Sequence, residues 1–319
     1  MKDDIDTIQG MAVFYILESF KKMVNPICAL DMGLGKTRVA CSIIQTIITT
    51  YNEYRILIVI KASNYKDPWI KELLYTNCII NSKNKGNNPS VREFKNCIYM
   101  HGKDRFAYFR SNSEVYKLPS NNIYIAPYDT LRIDIEKNRY DLSLYYDLIV
   151  FDELQLIMNT QKKTKALTTL NKLRAKRKLA LSGTPGQNTS LEIGLMYIFL
   201  NDQTQLEKYL SLPNVMENIT EDDTDENNEK KKLLKIKEEK VNVLSKGKED
   251  CKKNNSLFYY SAEKPLFSKT DVILLLPVDT EHYKLAQEYY GESEQRTLQK
   301  KLMYLSSPSS VYNYNSCYA

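Results

Sequence analysis

The sequence predicts an α/β protein in which helices cover both faces of a parallel sheet. Between residues 26 and 200, short β-rich runs alternate with helical patterns, as expected for repeated βα units. Three of the apolar runs lead into glycine-rich, acidic or hydroxyl-bearing segments, at 31–37, 152–155 and 182–188. The chain has 319 residues, 43% of them hydrophobic, which is enough for one large core and a smaller appendage.

The first βα unit follows an N-terminal helix. Residues 1–25 have the pattern of an amphipathic helix, and the apolar run 27–30 that of a short strand. Residues 39–48 have the length and apolar content of a buried helix. Between this strand and this helix lies the segment DMGLGKT, at 31–37.

That segment has the residue types that a nucleoside triphosphate requires. Gly33 and Gly35 let the backbone approach closely, Lys36 supplies a cation for the β- and γ-phosphates, and Thr37 supplies a hydroxyl for the metal. The strict pattern asks for glycine where this chain has Leu30. An ordinary glycine-rich turn before a helix is therefore the alternative interpretation.

The second segment, DELQ at 152–155, follows the apolar run 148–151. Two acids at the end of a buried strand are costly unless something uses them, because a carboxylate in apolar surroundings loses its hydration. Asp152 is predicted to hold Mg²⁺ and Glu153 to polarise the attacking water. A solvated turn is the alternative, and the preceding phosphate loop makes it less favoured.

The third segment, LALSGTPGQN at 179–188, again ends an apolar strand with small hydroxyl residues and glycine. Ser182 and Thr184 are predicted to hydrogen-bond between the nucleotide carboxylates and the molecule on which the protein acts. Alone, this string is merely a turn. Its value lies in its order and spacing after the other two segments.

These segments, in this order, resemble the Swi/Snf-type helicase-like ATPases of superfamily two. Virus-encoded members, including global transactivators of the baculovirus type and nucleoside triphosphatases of the poxvirus type, look closest in style. The landmarks, in the family's order, cover about 190 residues. Besides the three segments above, the similar strings are TIQGMAVFYIL around Gln9, ILIVIKASNYKDPWIKEL at 56–73, IYMHGKDR at 98–105 and IYIAPYDTLRID at 123–134.

The resemblance implies a RecA-like lobe that binds ATP and Mg²⁺ and contacts double-stranded DNA. It implies ATP contacts at Gln9, Met32, Gly33, Leu34, Gly35, Lys36 and Thr37, metal contacts at Thr37 and Asp152, and catalytic roles for Lys36, Asp152 and Glu153. Coupling roles fall on Gln155, Ser182 and Thr184. Nucleic-acid contacts fall on Lys61, Ala62, Ser63, Asn64, Tyr128 and Thr130, with Arg105, Arg110 and Arg132 near enough in sequence to add cations.

Two departures from the family's pattern bear on activity. Gln155 stands where histidine is usual, so coupling would run through a neutral amide, which still donates and accepts hydrogen bonds. The string FYYSAEKP at 258–265 stands where the family has paired arginines, and no arginine-bearing motif of a second lobe is visible. An arginine finger contributes roughly 10³–10⁵ in kcat. We therefore expect slow hydrolysis by this chain alone, as a truncated paralogue or a half-enzyme completed by another polypeptide.

Charge patterning suggests the domain organisation. Residues 217–229 carry seven acids and no bases, and residues 230–253 carry ten lysines against four acids. Blocks of like charge repel, so this region is expected to be mostly disordered or loosely helical, although a helical hairpin is an alternative. We expect a first lobe at 1–212, a charged linker or insertion at 213–256, and the start of a connection to a second lobe at 257–319.

The resemblance leaves two classes of function open. One is an ATP-dependent motor lobe on duplex DNA; the other is a non-catalytic module that binds DNA or a remodelling or transcription protein. A net charge of +6 among 84 charged residues is compatible with nucleic acid without demonstrating it. Six scattered cysteines, an acidic N-terminus and the lack of a long apolar run predict a nuclear or cytoplasmic protein without a membrane partner.

Overall fold

The computed structural model describes residues 2–81, 94–108, 114–160, 164–186, 189–213 and 226–260. Within them, a seven-stranded sheet forms the centre of the protein, and a second sheet has two short strands. In chain order the strands are β1 (Ile27–Leu30), β2 (Arg55–Ile60), β3 (Cys97–Tyr99), β4 (Asn122–Pro127), β5 (Tyr145–Tyr146), β6 (Leu148–Phe151), β7 (Arg174–Ala175), β8 (Lys178–Ser182) and β9 (Leu257–Tyr260).

All neighbours in the large sheet are parallel, in the order β3-β4-β2-β6-β8-β1-β9. Strand β1 lies inside the sheet, with Cys28 opposite Leu181 on one side and Phe258 on the other. The predicted parallel α/β fold is confirmed. Because the strands are parallel, the segments that follow β1, β2, β4, β6 and β8 all meet at one edge of the sheet.

Helices lie on both faces of the sheet, as predicted. Alternate residues of a strand point to opposite faces. In β2, Ile56 and Ile58 pack with α1, α2 and α3, whereas Leu57 and Val59 belong to the core shared with the later helices. The helices are α1 (Lys2–Lys21), α2 (Lys36–Thr50), α3 (Lys71–Tyr75), α4 (Tyr128–Glu136), α5 (Lys165–Leu170), α6 (Leu191–Asn201), α7 (Gln203–Ser211) and α8 (Glu226–Lys253).

Helix α8 contradicts the expectation of a mostly disordered or loosely helical segment for residues 226–253. It is a single helix of 28 residues. Glycine allows it to approach α6 closely: a Cβ built on Gly194 would lie 2.0 Å from the carbonyl oxygen of Leu244, and one on Gly247 would lie 2.7 Å from Ile198. The charge pattern of the sequence did not predict this contact between α6 and α8, because α8 has few apolar residues. Residues 214–225 lie outside the described residues.

The large sheet includes a strand beyond residue 212, where the first lobe was expected to end. Strand β9 pairs in parallel with β1, the strand that precedes the loop at 31–37. The amide of Ile27 donates to the carbonyl of Ser256 (2.6 Å), and that of Asp31 donates to Tyr260 (3.3 Å). The sheet therefore continues to Tyr260. The rest of the expected connection, from residue 261, lies outside the described residues.

The cysteines of the described residues are buried free thiols: Cys28, Cys41, Cys78, Cys97 and Cys251. Burial raises the pKa of Cys28 to about 12 and that of Cys78 to about 11. These thiols therefore stay protonated and unreactive at neutral pH. Among the described helices, none has the length and apolar character that crossing a membrane requires.

Candidate nucleotide site

The phosphate loop connects β1 to α2 at the carboxyl edge of the sheet. Gly33 and Gly35 have φ values of 83° and 81°, in the left-handed region that favours glycine. Gly35 is the N-cap of α2, and no side chain caps that end. The first-turn amides of a 15-residue helix, with the positive end of its dipole, therefore lie at the loop, where an anionic phosphate would satisfy them.

Gln9 of α1 contacts the loop from the other side. Its Nε2 donates to the carbonyl of Leu34 at 3.0 Å, and a Cβ on Gly35 would lie 2.2 Å from the same nitrogen. Glycine at position 35 is thus required both by its φ and by the space that Gln9 occupies. The exposed side chain of Met32 marks the outer part of the loop.

Lys36 reaches from the start of α2 towards the acidic end of β6. Its side chain is 9% exposed, and Nζ donates to the carbonyl of Leu30 at 2.9 Å and lies 3.8 Å from Oε1 of Glu153. Leu30 supports the lysine through its backbone, and its own side chain is buried in the core. This explains how leucine fits where the strict phosphate-loop pattern has glycine. Thr37, next along α2, is also buried.

Asp152 is the more enclosed of the two acids, at 4% exposed. Its Oδ2 accepts hydrogen bonds from Nε1 of Trp69 (2.9 Å) and Nδ2 of Asn64 (3.2 Å). Burial raises the pKa of the Asp152 carboxyl, and these hydrogen bonds act in the opposite direction. Both donors use Oδ2, so neither of them occupies Oδ1. A carboxylate oxygen held in this way is a suitable partner for Mg²⁺ or its water shell.

Glu153 connects the acidic strand end to the segment after β8. It has left-handed backbone angles (φ 52°, ψ 52°), an unusual conformation for glutamate, and its Oε2 accepts from the amide of Gly183 at 3.2 Å. Gln155 donates to the same Oε2, and its Oε1 accepts from the hydroxyl of Ser182 at 2.7 Å. Glu153, Gln155 and Ser182 therefore form one hydrogen-bonded chain. Thr184, two residues beyond Ser182, is partly buried at the same edge.

The predicted nucleic-acid contacts follow two adjacent strands. Lys61, Ala62 and Ser63 are exposed after β2, and Thr130, on α4 after β4, is partly exposed with its hydroxyl 3.2 Å from Nδ1 of His101. The structure thus brings these residues to neighbouring positions at one edge of the sheet.

Several side chains near this edge have internal partners that the sequence did not reveal. Tyr128 is 7% exposed and its hydroxyl donates to the carbonyl of Asp152 at 3.0 Å, so it supports the acidic strand end. Arg105 pairs with the buried Asp134 at 2.8 Å, so its charge is used internally. Arg132 contacts Glu136 at 2.9 Å, and residue 110 lies outside the described residues.

Sequence reasoning missed the partners of Asp152. Trp69 and Asn64 precede it by more than eighty residues, and only the adjacency of β2 and β6 brings them together. One feature of the sequence could have revealed these partners. Residues 56–73 begin as a predicted strand of the same sheet as the strand before Asp152, and a turn follows that strand. The amide of Gly183 was missed as well, because a backbone donor has no signature in the sequence.

The fold and this site define an α/β domain in which a glycine-rich loop, 31–37, lies beside an acidic strand end. The SNF2-related domain family matches residues 8–301, most of the chain, and the chain belongs to that family. The resemblance to Swi/Snf-type helicase-like ATPases is therefore confirmed.

Curated relatives are much longer than this chain. The chromatin-remodeling ATPase INO80 of Lodderomyces elongisporus is 24% identical over 206 residues, which cover 63% of this chain and 12% of that protein. The TATA-binding protein-associated factor BTAF1 of Arabidopsis thaliana is 32% identical over 81 residues, 25% of this chain and 4% of that one. A SWI/SNF-related, matrix-associated, actin-dependent regulator of chromatin (subfamily A, containing DEAD/H box 1) of Xenopus tropicalis is 28% identical over 174 residues, 54% and 16% of the two chains.

A solved structure also resembles the chain at low identity. The SWI2/SNF2 ATPase core of Sulfolobus solfataricus in complex with dsDNA has a TM-score of 0.48 and 17% identity. The match covers 92% of this chain and 56% of that one. The chain thus spans about half of that core and a small part of each curated relative.

Proposed function

We propose that this chain is the ATP-binding first lobe of a DNA-dependent ATPase or translocase of the Swi/Snf type. The observation that carries the proposal is the 3.8 Å approach of Lys36 to Glu153, across 117 positions of sequence, beside an uncapped helix N-terminus. A lysine, an acidic pair and free helix amides at one edge are what a metal-bound triphosphate requires.

Each residue has a definite role in this proposal. The α2 amides and Lys36 bind the phosphates, Gln9 contacts the base, and Thr37 and Asp152 hold Mg²⁺. The metal neutralises charge on the phosphates when it is bound. Glu153 accepts a proton from the attacking water through Oε1, the oxygen that lies 3.8 Å from Nζ of Lys36. Gln155 and Ser182 relay the state of Glu153 towards the segment after β8.

In this proposal, efficient hydrolysis requires a second RecA-like lobe. Two large apolar side chains at the site edge support this: Met32 of the phosphate loop is 89% exposed, and Leu156, just beyond the acidic pair, is 55% exposed. Covering them would gain hydrophobic free energy, and an incoming lobe would bring the arginines that the string at 258–265 lacks. A nuclear location, a role in transcription and a viral origin all remain parts of the proposal.

Replacing Lys36 with alanine is expected to weaken nucleotide binding. The change removes the cation from a buried position, and its loss leaves Glu153 uncompensated beside the phosphates. We expect at least a roughly tenfold higher Kd, because a charged hydrogen bond contributes about 1.5–3 kcal/mol. Fluorescence titration with a labelled ATP analogue and Mg²⁺ measures this.

Lys172→Ala is the matched control, because Lys172 is an exposed lysine on the turn after α5. Its Kd should equal that of the wild type. Unchanged affinity in Lys36→Ala would remove the basis of the motor interpretation and favour the non-catalytic alternative.

DNA binding should depend on salt through Lys61. If Lys61 neutralises one phosphate, Lys61→Ala should reduce the slope of log K against log salt by about 1, at similar cost on every DNA sequence. Fluorescence anisotropy with labelled duplexes over a salt series measures the slope. Lys208→Ala, an exposed lysine on α7, should leave it unchanged. A flat salt response in the wild type would contradict phosphate recognition altogether.

A further inference from the structure

Asp152 is held by side chains that come from the two segments proposed to contact DNA. Asn64 ends the short helical turn Ala62–Asn64 after β2, and Tyr128 begins α4 after β4. One donates to the carboxylate of Asp152 and the other to its backbone carbonyl. In the first of these segments Lys61 and Ser63 are exposed, and in the second Thr130 is partly exposed.

The Asn64 contact joins the surface directly to the carboxylate. The backbone amide of Asn64 donates to the carbonyl of Lys61 at 2.9 Å, which closes the turn. Its side-chain Oδ1 accepts from the hydroxyl of Ser63 at 3.1 Å, and its Nδ2 donates to Asp152 at 3.2 Å. A rearrangement of this turn on binding a phosphate backbone would therefore move the donor on Oδ2 of Asp152.

Tyr128 contacts the backbone of Asp152, whereas Asn64 contacts its side chain. Its ring is buried in the core, so its hydroxyl has little freedom, and that hydroxyl donates to Asp152 at 3.0 Å. Residue 128 lies in the first turn of α4, two residues before Thr130. A shift of α4 on contact with DNA would therefore be passed to the backbone of Asp152.

Trp69 also donates to Asp152 and is expected to stay in place when Asn64 or Tyr128 moves. It is fully buried and donates to Oδ2 at 2.9 Å. Because the core holds Trp69 in place, the hydrogen bond from Asn64 determines how far the Asp152 carboxylate can still rotate. The direction of Oδ1, the oxygen available to a metal, follows from that rotation.

We propose that Asn64 and Tyr128 are positioning residues that couple DNA contact to the orientation of Asp152 and hence to binding of Mg-nucleotide. This inference rests on the proposed function, since it requires both ligands. By thermodynamic linkage, DNA then changes the affinity for Mg-nucleotide by the same factor by which Mg-nucleotide changes the affinity for DNA.

The experiment measures that factor in the full chain. The Kd of a fluorescent ATP analogue is determined with Mg²⁺, with and without saturating duplex DNA, for the wild type, Asn64→Ala and Tyr128→Phe. Tyr145→Phe and Asn242→Ala serve as matched controls, because Tyr145 and Asn242 are exposed and lie on β5 and α8. Repeating the titrations with a chelator in place of Mg²⁺ reports nucleotide binding that does not depend on the metal.

The wild type and both controls are expected to show a coupling factor of about 5 or more, within the usual range of such couplings. Asn64→Ala and Tyr128→Phe should bring the factor close to 1, with metal-free nucleotide affinity unchanged. Tyr128→Phe should also leave DNA affinity in the absence of nucleotide unchanged, since its hydroxyl is buried.

Three results would overturn the inference. If the variants lower the unfolding temperature but keep the wild-type factor, the two contacts are merely structural. If the wild type binds both ligands with a factor of 1, the coupling does not exist and the proposed function still stands. If the wild type fails to bind Mg-nucleotide or DNA, the proposed function fails and the inference falls with it.

Discussion

ATP hydrolysis is expected to fall by about 10²–10⁴-fold when Glu153 is replaced with glutamine, the usual contribution of a positioned general base. Mg-ATP binding should remain near the wild-type level. An amide oxygen still accepts the hydrogen bonds that Gly183 and Gln155 donate to Oε2, so the local geometry is kept. The amide does not accept a proton from water at neutral pH. The change therefore separates chemistry from binding, whereas Lys36→Ala affects binding itself.

Single-turnover hydrolysis of labelled ATP, with protein in excess and over long incubations, measures this effect even when the turnover of the chain alone is slow. Glu207→Gln is the matched control, because Glu207 is exposed on α7 and contacts only Gln203 among the described hydrogen bonds. Equal rates for the wild type and Glu153→Gln would remove Glu153 from the catalytic role. If the wild type does not hydrolyse ATP even with a second lobe added, the non-catalytic alternative gains support.

The central strands were predictable from the sequence because both of their faces are buried. A strand covered by helices on both faces is a short continuous apolar run, and 27–30 and 148–151 are such runs, which the structure contains as β1 and β6. The segments after them were predictable because phosphate and metal chemistry restricts the residue types. Parallel pairing then brings those segments together without any further information.

The C-terminal part was not predictable in the same way. Residues 230–253 are rich in lysine. Their few apolar residues are buried only because α6 packs against them. The close approach of Gly194 and Gly247 requires both helices to be known. Strand β9 was similarly hidden, since LFYY is short and its partner β1 lies more than two hundred residues earlier.

Within the site, the residues proposed to perform chemistry were more visible in the sequence than those proposed to position them. Lys36 and Glu153 belong to recognisable strings. Asn64, Trp69 and Tyr128 contact Asp152 through the packing of β2, β4 and β6, and an asparagine or a tyrosine in a loop has no such specific signature. Tyr128 was expected only among the nucleic-acid contacts, and its hydrogen bond to the carbonyl of Asp152 was not foreseen.

Replacing Asp134 with asparagine is expected to lower the free energy of unfolding by about 3–5 kcal/mol at pH 7, the usual cost of removing one partner from a buried ion pair. Asp134 is 1% exposed and accepts from Arg105 (2.8 Å), Arg139 (2.9 Å) and the hydroxyl of Tyr116 (2.7 Å). Asparagine would remove the charge that neutralises Arg105, and Arg139, which also lies 3.8 Å from Glu114, would lose its buried partner; each guanidinium is 14% exposed. Helix α4 and the turn Asp104–Tyr108 would lose the ion pair between Arg105 and Asp134.

The loss of stability in Asp134→Asn should depend on pH, and the direction follows from the lowered pKa of the Asp134 carboxyl. Burial alone would raise the pKa of the Asp134 carboxyl, but the hydrogen bonds from Arg105, Tyr116 and Arg139 outweigh it, so the pKa lies below its ordinary value of 3.8. A carboxyl whose folded-state pKa is lowered stabilises the fold above the unfolded value and loses that contribution as pH falls through the folded one. The difference between wild type and Asp134→Asn should therefore be constant from pH 7 to about 5 and shrink below pH 4.

Urea denaturation at a series of pH values measures this difference. Asp129→Asn is the control, because Asp129 is exposed in the first turn of the same helix and should cost about 1 kcal/mol or less. If Asp134→Asn does not fold, Tyr116→Phe tests the same site. It removes one hydrogen bond to the charged Asp134, which should lower the free energy of unfolding by about 1.5–3 kcal/mol. A difference that persists unchanged at pH 3 would show that the asparagine acts through packing and that the charge of Asp134 does not stabilise α4.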